Sequence, residues 1–247
     1  MTAEALRAET VRITGYQGDE IEAYFAAPLD DARHGGVVVI HHMPGYDEAT
    51  REIVRRFAAH GYLAVCPNLY SRESVGRSFE DTVAAVRAAG GVANERLVGD
   101  VAGALDFLRA QSSYNGRVAT IGYCSGGRQS VLAACSLALD AAIDCYGGFV
   151  VNSPPPTVPV KLQPVVHLVP QLSCPLLGLF GAEDHNPSPS ETAELAAALD
   201  AAGKTYEFHT YDNAGHAFFA VDRPNYRPEA ASDGWQKIWD FLGRHIS

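Results

Sequence analysis

The chain has 247 residues, 47% of them apolar and 19% charged. This composition excludes a disordered or fibrous chain and suffices for one large domain with a sizeable core. Nineteen bases against 29 acids give a net charge of −10 with no Lys/Arg cluster, so neither nucleic acid nor an anionic membrane surface is an expected partner.

The apolar runs, Val37 to Ile40 and Leu176 to Phe180 among them, are far too short to cross a bilayer, and Met1 to Thr14 has no apolar leader segment. A cytoplasmic protein is the expectation. Five cysteines, Cys66, Cys124, Cys135, Cys145 and Cys174, form no C-x-x-C pair and are odd in number. They fit neither a disulfide framework nor a structural zinc site, so most should be reduced, buried thiols.

Two alternating stretches open the chain, Glu9 to Thr14 and Ile21 to Ala27, separated by Gly15, Gln17, Gly18 and Asp19. They predict an antiparallel hairpin. Continuous apolar runs then alternate with amphipathic stretches. Val37 to Ile40 precedes Thr50 to His60, and Tyr62 to Cys66 precedes a long polar-rich passage. Arg117 to Ile121 precedes Ser125 to Leu139; Ala142 to Cys145 follows; Leu176 to Phe180 leads into Ser190 to Ala202; Tyr206 to Tyr211 leads to a last helix from about Ser232 to Ile246.

Apolar runs without alternation are the pattern of parallel strands covered on both faces. The expected fold is a single α/β domain over residues 1–247, a doubly wound, mostly parallel sheet with helices on both faces and an N-terminal β-hairpin. In such sheets ligands sit beyond the carboxyl ends of the strands, so function belongs in the strand-to-helix loops. The segment Ser153 to Pro170, with six prolines, is read as an insertion between strands and placed as a lid over the site.

The sharpest local feature is Gly122-Tyr123-Cys124-Ser125-Gly126-Gly127, between an apolar run and a helical stretch. A nucleophile on a sharp strand-to-helix turn needs small residues two positions to either side, because the turn brings their backbones together. Gly122 and Gly126 meet that need for Cys124, whereas Ser125 has Tyr123 at the same offset. A helix N-terminus also favours the thiolate that attacks. A buried cysteine beside a packing turn is the plain alternative, so partners are required.

A thiol nucleophile needs a histidine base, and the base needs an acceptor that sets its tautomer. Asp184, after Leu176 to Phe180, and His216, after Tyr206 to Tyr211, fall past strand ends in the order nucleophile, acid, histidine. Glu183 and Asp144 compete for the acid's place. His41 and His42 close an early strand, but adjacent strand residues point apart, so a shared metal ion is not expected. Their loop instead places the Met43 N–H opposite that of Ser125 as a second oxyanion donor.

With Ala64-Val65-Cys66-Pro67-Asn68-Leu69-Tyr70 added, these motifs resemble the dienelactone hydrolase (carboxymethylenebutenolidase-like) family of α/β-hydrolases over nearly the whole chain. The resemblance implies the α/β-hydrolase fold and hydrolysis of a small ester or lactone by a Cys–His–Asp triad, with no metal or organic cofactor. It implies Cys124 as nucleophile, His216 as base and Asp184 as its orienter. Two departures bear on the substrate. His42 stands where the best-known members carry a glutamate, and no arginine soon follows His216; Arg72, Arg77, Arg128 and Arg223 remain candidates for an anionic substrate. Tyr146 and Phe218 are candidates for shaping the pocket. A monomer or small homo-oligomer is expected. A thioesterase or acyltransferase on the same triad, and a non-catalytic ligand-binding relative, are the alternatives.

Overall fold

The computed structural model describes residues 6–158 and 160–247. Eight strands form one sheet in the order β1-β2-β4-β3-β5-β6-β7-β8. Strands β1 (Leu6–Thr14) and β2 (Glu20–Pro28) make the expected antiparallel hairpin, paired from Leu6↔Pro28 to Thr14↔Glu20, and β2 also runs antiparallel to β4 (Leu63–Pro67). The remaining strands, β3 (His34–Ile40), β5 (Tyr114–Tyr123), β6 (Ala141–Cys145), β7 (Leu176–Gly181) and β8 (Tyr206–Tyr211), are parallel to their neighbours. All their carboxyl ends therefore open on one edge, where strand-to-helix loops can converge.

Successive strand residues face opposite sides of the sheet, and the core divides accordingly. Val38 and Ile40 of β3 pack on one face beneath α3 (Asn94–Arg109), α4 (Ser125–Ser136) and α5 (Pro189–Ala201). Val37 and Val39 pack on the other face beneath α1 (Glu48–Ala59) and α6 (Pro228–His245), through Phe57, Trp235 and Ile238. Burial on both faces explains why the central strands read as unbroken apolar runs.

The polar-rich passage after β4 contains two helices that its pattern did not announce, α2 (Phe79–Ala88) and α3. Along α3 the buried residues Leu97, Val101, Ala104, Leu105 and Leu108 recur at helical spacing, but small and acidic residues lie between them. One of those acids, Asp100, is wholly buried. It accepts from the Tyr16 N–H at 2.8 Å and pairs with Arg72 at 2.8 Å, tying the hairpin turn to α3.

Candidate active site

The turn from β5 into α4 places Cys124 at φ 56°, ψ −121°, a left-handed region that costs a non-glycine residue strain of order 1–3 kcal/mol. The surroundings hold it there. The Cys124 N–H donates to the Cys145 carbonyl at 3.0 Å. A Cβ on Gly122 would lie 1.9 Å from the Gly126 carbonyl oxygen, and one on Gly126 would lie 2.2 Å from that of Ile40. The small-residue requirement is thus a literal contact of three backbones. Cys124 is partly accessible, whereas Cys66, Cys135, Cys145 and Cys174 are buried. Ser125 is the first residue of α4, where an N–H has no intrahelical acceptor.

The loops after β7 and β8 bring two further groups to this turn. His216 Nδ1 lies 2.9 Å from Asp184 Oδ2, and the ring shares a cavity with Cys124. Asp184 is buried, and its other oxygen accepts from the Asn186 N–H at 2.9 Å. Both carboxylate oxygens are therefore spent on holding the loop and the ring. Burial alone pushes the His216 pKa down, but the Asp184 and Cys124 side chains beside the ring outweigh it and raise it to about 10. The ring is thereby suited to hold a proton that the thiol gives up.

The competing acids lie elsewhere. Glu183 is exposed. Asp144, at the end of β6, is fully buried with no histidine partner. Its Oδ1 accepts from the Gly147 N–H at 2.7 Å, its Oδ2 has no partner among the described residues, and burial raises its pKa to about 7.

Cys124 and His216 open into a cavity of about 580 Å³ that is also lined by His42, Met43 and Tyr146. Tyr146 is buried and meets the His216 ring edge-on at 5.2 Å between centroids. Phe218 has no exposed surface and belongs to the core. The two adjacent histidines do point apart. His41 is buried, donates from Nδ1 to the His42 carbonyl at 3.0 Å and accepts the Leu69 N–H on Nε2 at 3.1 Å. Burial lowers its pKa to about 4, keeping it neutral. His42 Nε2 instead lies 3.0 Å from Asp47 Oδ2. Asp47 also caps α1 by accepting the Thr50 N–H at 2.9 Å, so one side chain links the Met43 loop to that helix.

The sequence pattern of the dienelactone hydrolase family matches residues 21–246. The chain belongs to the dienelactone hydrolase family. A carboxymethylenebutenolidase-like protein of Escherichia coli is 36% identical over 241 residues, covering 93% of this chain and 84% of the relative. The carboxymethylenebutenolidase of Pseudomonas putida is 29% identical over 240 residues, 95% of each chain. A dienelactone hydrolase-like structure from Klebsiella pneumoniae superposes with a TM-score of 0.84 at 29% identity, covering 98% of this chain and all of its own. The doubly wound sheet is accordingly that of the α/β-hydrolases, and this family member is a hydrolase acting on ester or lactone bonds. Among the described residues no helix is long and apolar enough to cross a membrane.

Two expectations about this family member need correction. None of the described residues of the 153–170 segment lines the cavity. The segment packs on the far side instead: the Lys161 N–H donates to Gly90 at 2.8 Å, and Arg128, itself buried, donates to the Gln163 carbonyl at 2.7 Å. Prolines signalled irregular backbone but not where it docks. Of the four candidate arginines, Arg72 is committed to Asp19 and Asp100, Arg77 to the Glu73 carbonyl, and Arg128 to backbone and Asn94. Arg223 alone reaches the cavity, at its exposed rim.

Sequence reasoning overlooked Arg56, whose guanidinium lies 4.0 Å from the Trp235 ring centroid, and the Tyr123 hydroxyl; both residues line the cavity. A helical arginine and the residue before a nucleophile carry no local signal of such a place.

Proposed function

We propose that this chain hydrolyses a small ester or lactone by covalent catalysis at Cys124, with His216 as general base and acid and Asp184 as the group that orients it. The observation that carries the reading is His216, hydrogen-bonded to buried Asp184 through Nδ1 and lining the same open cavity as the partly accessible Cys124. With Nδ1–H donated to Asp184, Nε2 is left for the thiol.

The thiol proton passes to His216 and the sulfur attacks the substrate carbonyl. The Ser125 and Met43 N–H groups receive the charge that develops on its oxygen; each such donor contributes on the order of 10²–10³ in rate. Collapse breaks the carbonyl's bond to the leaving oxygen, which takes the proton from His216. Water, deprotonated by the same ring, then attacks the thioester and the thiolate departs. In a lactone the leaving alkoxide stays tethered, so water must outcompete ring closure. His42, held by Asp47, stands beside Met43 and modulates this loop. No external cofactor enters the cycle, and the substrate is a small molecule.

The test is hydrolysis of an activated short-chain aryl ester and of a cis- and a trans-dienelactone by the native protein and by Cys124→Ala, with rapid-quench mass measurement. The expected result is an acyl adduct on Cys124 and loss of turnover in the variant by on the order of 10⁴ or more. Full activity in Cys124→Ala would sink the reading and make Ser125 the next nucleophile to examine.

A further inference from the structure

Helix α1 buries Thr50, Val54, Phe57 and Ala58 in the core. It also carries a second stripe. Ala49, Glu52, Ile53, Arg56 and Ala59 fall at i, i+3, i+4, i+7 and i+10, the spacing of one side of a helix, and all five line the cavity that holds Cys124 and His216. From Ala49 to Ala59 the helix rises about 15 Å at 1.5 Å per residue. The cavity therefore follows α1 for most of its length and does not end at the thiol.

The loop after His216 supplies a second wall through Ala217, Phe219, Ala220 and Val221. Trp235 joins the two walls: its ring centroid lies 5.7 Å from that of Phe57 on α1 and 5.6 Å from that of Phe219. Charge is tied back along this trough. Glu52 is paired with Arg55, and the Arg56 guanidinium lies against Trp235, 4.0 Å from the ring centroid. What remains is small or apolar, with Ala49, Ile53 and Ala59 on the helix and Ala217 and Ala220 on the loop, so the trough has length without bulk in the way. Four large apolar side chains stand exposed among the described residues, Leu29, Val75, Phe79 and Val221, and of these Val221 alone lines the cavity. An apolar side chain left in water at the rim of a cavity gains when a ligand covers it.

We propose that this trough seats one unbranched hydrocarbon chain of the substrate, so that the hydrolase selects medium-chain esters over short ones. The inference rests on the Cys124 reading for turnover and deepens it by naming the shape of the substrate. A compact lactone ring would occupy only the thiol end. An extended backbone advances about 3.5 Å for every three bonds, so about 15 Å seats roughly a dozen bonds of extended chain, enough for an ester with an eight-carbon arm. Burial of each methylene against the alanines, Ile53 and the aromatic floor then adds affinity without any directional contact. The carbonyl stays at the elbow, and the trough decides which ester presents it there. The chain belongs to the acyl or to the alcohol side of the ester, and two substrate series separate these.

The test measures kcat/KM for 4-nitrophenyl acetate, butyrate and octanoate, which lengthen the acyl side, and for ethyl, butyl and octyl acetate, which lengthen the alcohol side. The native protein is expected to gain roughly two- to fourfold per methylene in one of the series. Ile53→Trp, which fills the trough midway, should cut the ratio of the longest to the shortest member at least about 10-fold, and Val221→Asn, at a position open to water, roughly 2- to 5-fold. Calorimetry follows 2-octanone and 2-butanone, ketones that cannot be hydrolysed, on Cys124→Ala and on Cys124→Ala combined with Ile53→Trp. The longer ketone should bind the first protein at least about 10-fold more tightly than the shorter, and lose most of that advantage in the second. A native ratio near one in both series with equal binding of the two ketones overturns the proposal, as does a length preference that both Ile53→Trp and Val221→Asn leave intact. Because ketone binding needs no turnover, an error in the Cys124 mechanism would leave this result readable.

Discussion

The two walls of the cavity treat their polar groups in opposite ways. On the wall built by the loops after β5, β7 and β8, the acid is fully occupied: Asp184 takes one bond from the Asn186 N–H and one from His216, whose ring shares the cavity with Cys124. On the wall built by α1, α6 and the end of β5, Arg56 and the Tyr123 hydroxyl have no acidic acceptor among the described residues, although Arg55, next to Arg56 on α1, is paired with Glu48 and Glu52. A fully satisfied network is rigid, which is what a reacting constellation requires, while unpaired donors beside a cavity reserve binding energy for something that arrives.

The largest expected effect comes from breaking the satisfied wall at its base. Asp184→Asn keeps the shape but presents an amide that can turn its N–H₂ toward His216, favouring the wrong tautomer, and it removes the charge that helps hold the His216 pKa near 10. The expected loss in kcat is on the order of 10²–10⁴, with KM for the activated aryl ester little altered. A larger change in KM than in kcat would show that the two walls are not separable as described.

How much of this was legible beforehand follows from how local each constraint is. The elbow could be read because its requirement is steric and adjacent in the chain: Gly122 and Gly126 fall at fixed offsets from Cys124, and the structure turns those offsets into backbone contacts. Asp184 and His216 were findable because strand ends are visible as apolar runs and the fold orders the loops. The parallel strands were legible for the same reason, since burial on both faces removes alternation. Helices α2 and α3 were not, because small and polar residues interrupt their apolar faces: Thr82 beside the valines of α2, and Ala104 and the buried Asp100 among the leucines of α3. Arg56 was invisible because its distinction is a missing partner, which no spacing encodes. The 153–170 segment misled for a related reason: proline reports local geometry, and docking against α4 is tertiary.

A buried carboxylate outside both walls sharpens the comparison. Asp144 resembles Asp184 in burial but lacks an imidazole, and its pKa is raised to about 7 where that of an unfolded aspartate is near 3.8. A carboxyl with a raised folded pKa costs nothing when protonated, and the cost of ionising it grows as pH rises from about 4 to about 7. Asp144→Asn keeps the acceptor for the Gly147 N–H and removes the charge. The variant's stability gain over the native protein should therefore grow across that window and level off above it, reaching a few kcal/mol. Denaturant melts at pH 5 and pH 8 measure it; equal gains at both would mean that the Asp144 carboxyl ionises in the fold as readily as in the unfolded chain.

The smallest effect tests the unsatisfied wall without its charge. Tyr123→Phe removes a buried hydroxyl that has no acceptor among the described residues and leaves its ring against Phe219 and Trp235. If the hydroxyl is kept for a ligand, deleting it relieves a desolvation cost, and unfolding free energy should hold steady or rise by about 1 kcal/mol. The same substitution should leave turnover of the activated aryl ester within a few-fold of that of the native protein. Asp184→Asn should do neither, because its oxygens already serve the protein. A clear loss of stability in Tyr123→Phe would show that the hydroxyl is a structural partner, and the division between the two walls would then rest on Arg56 alone.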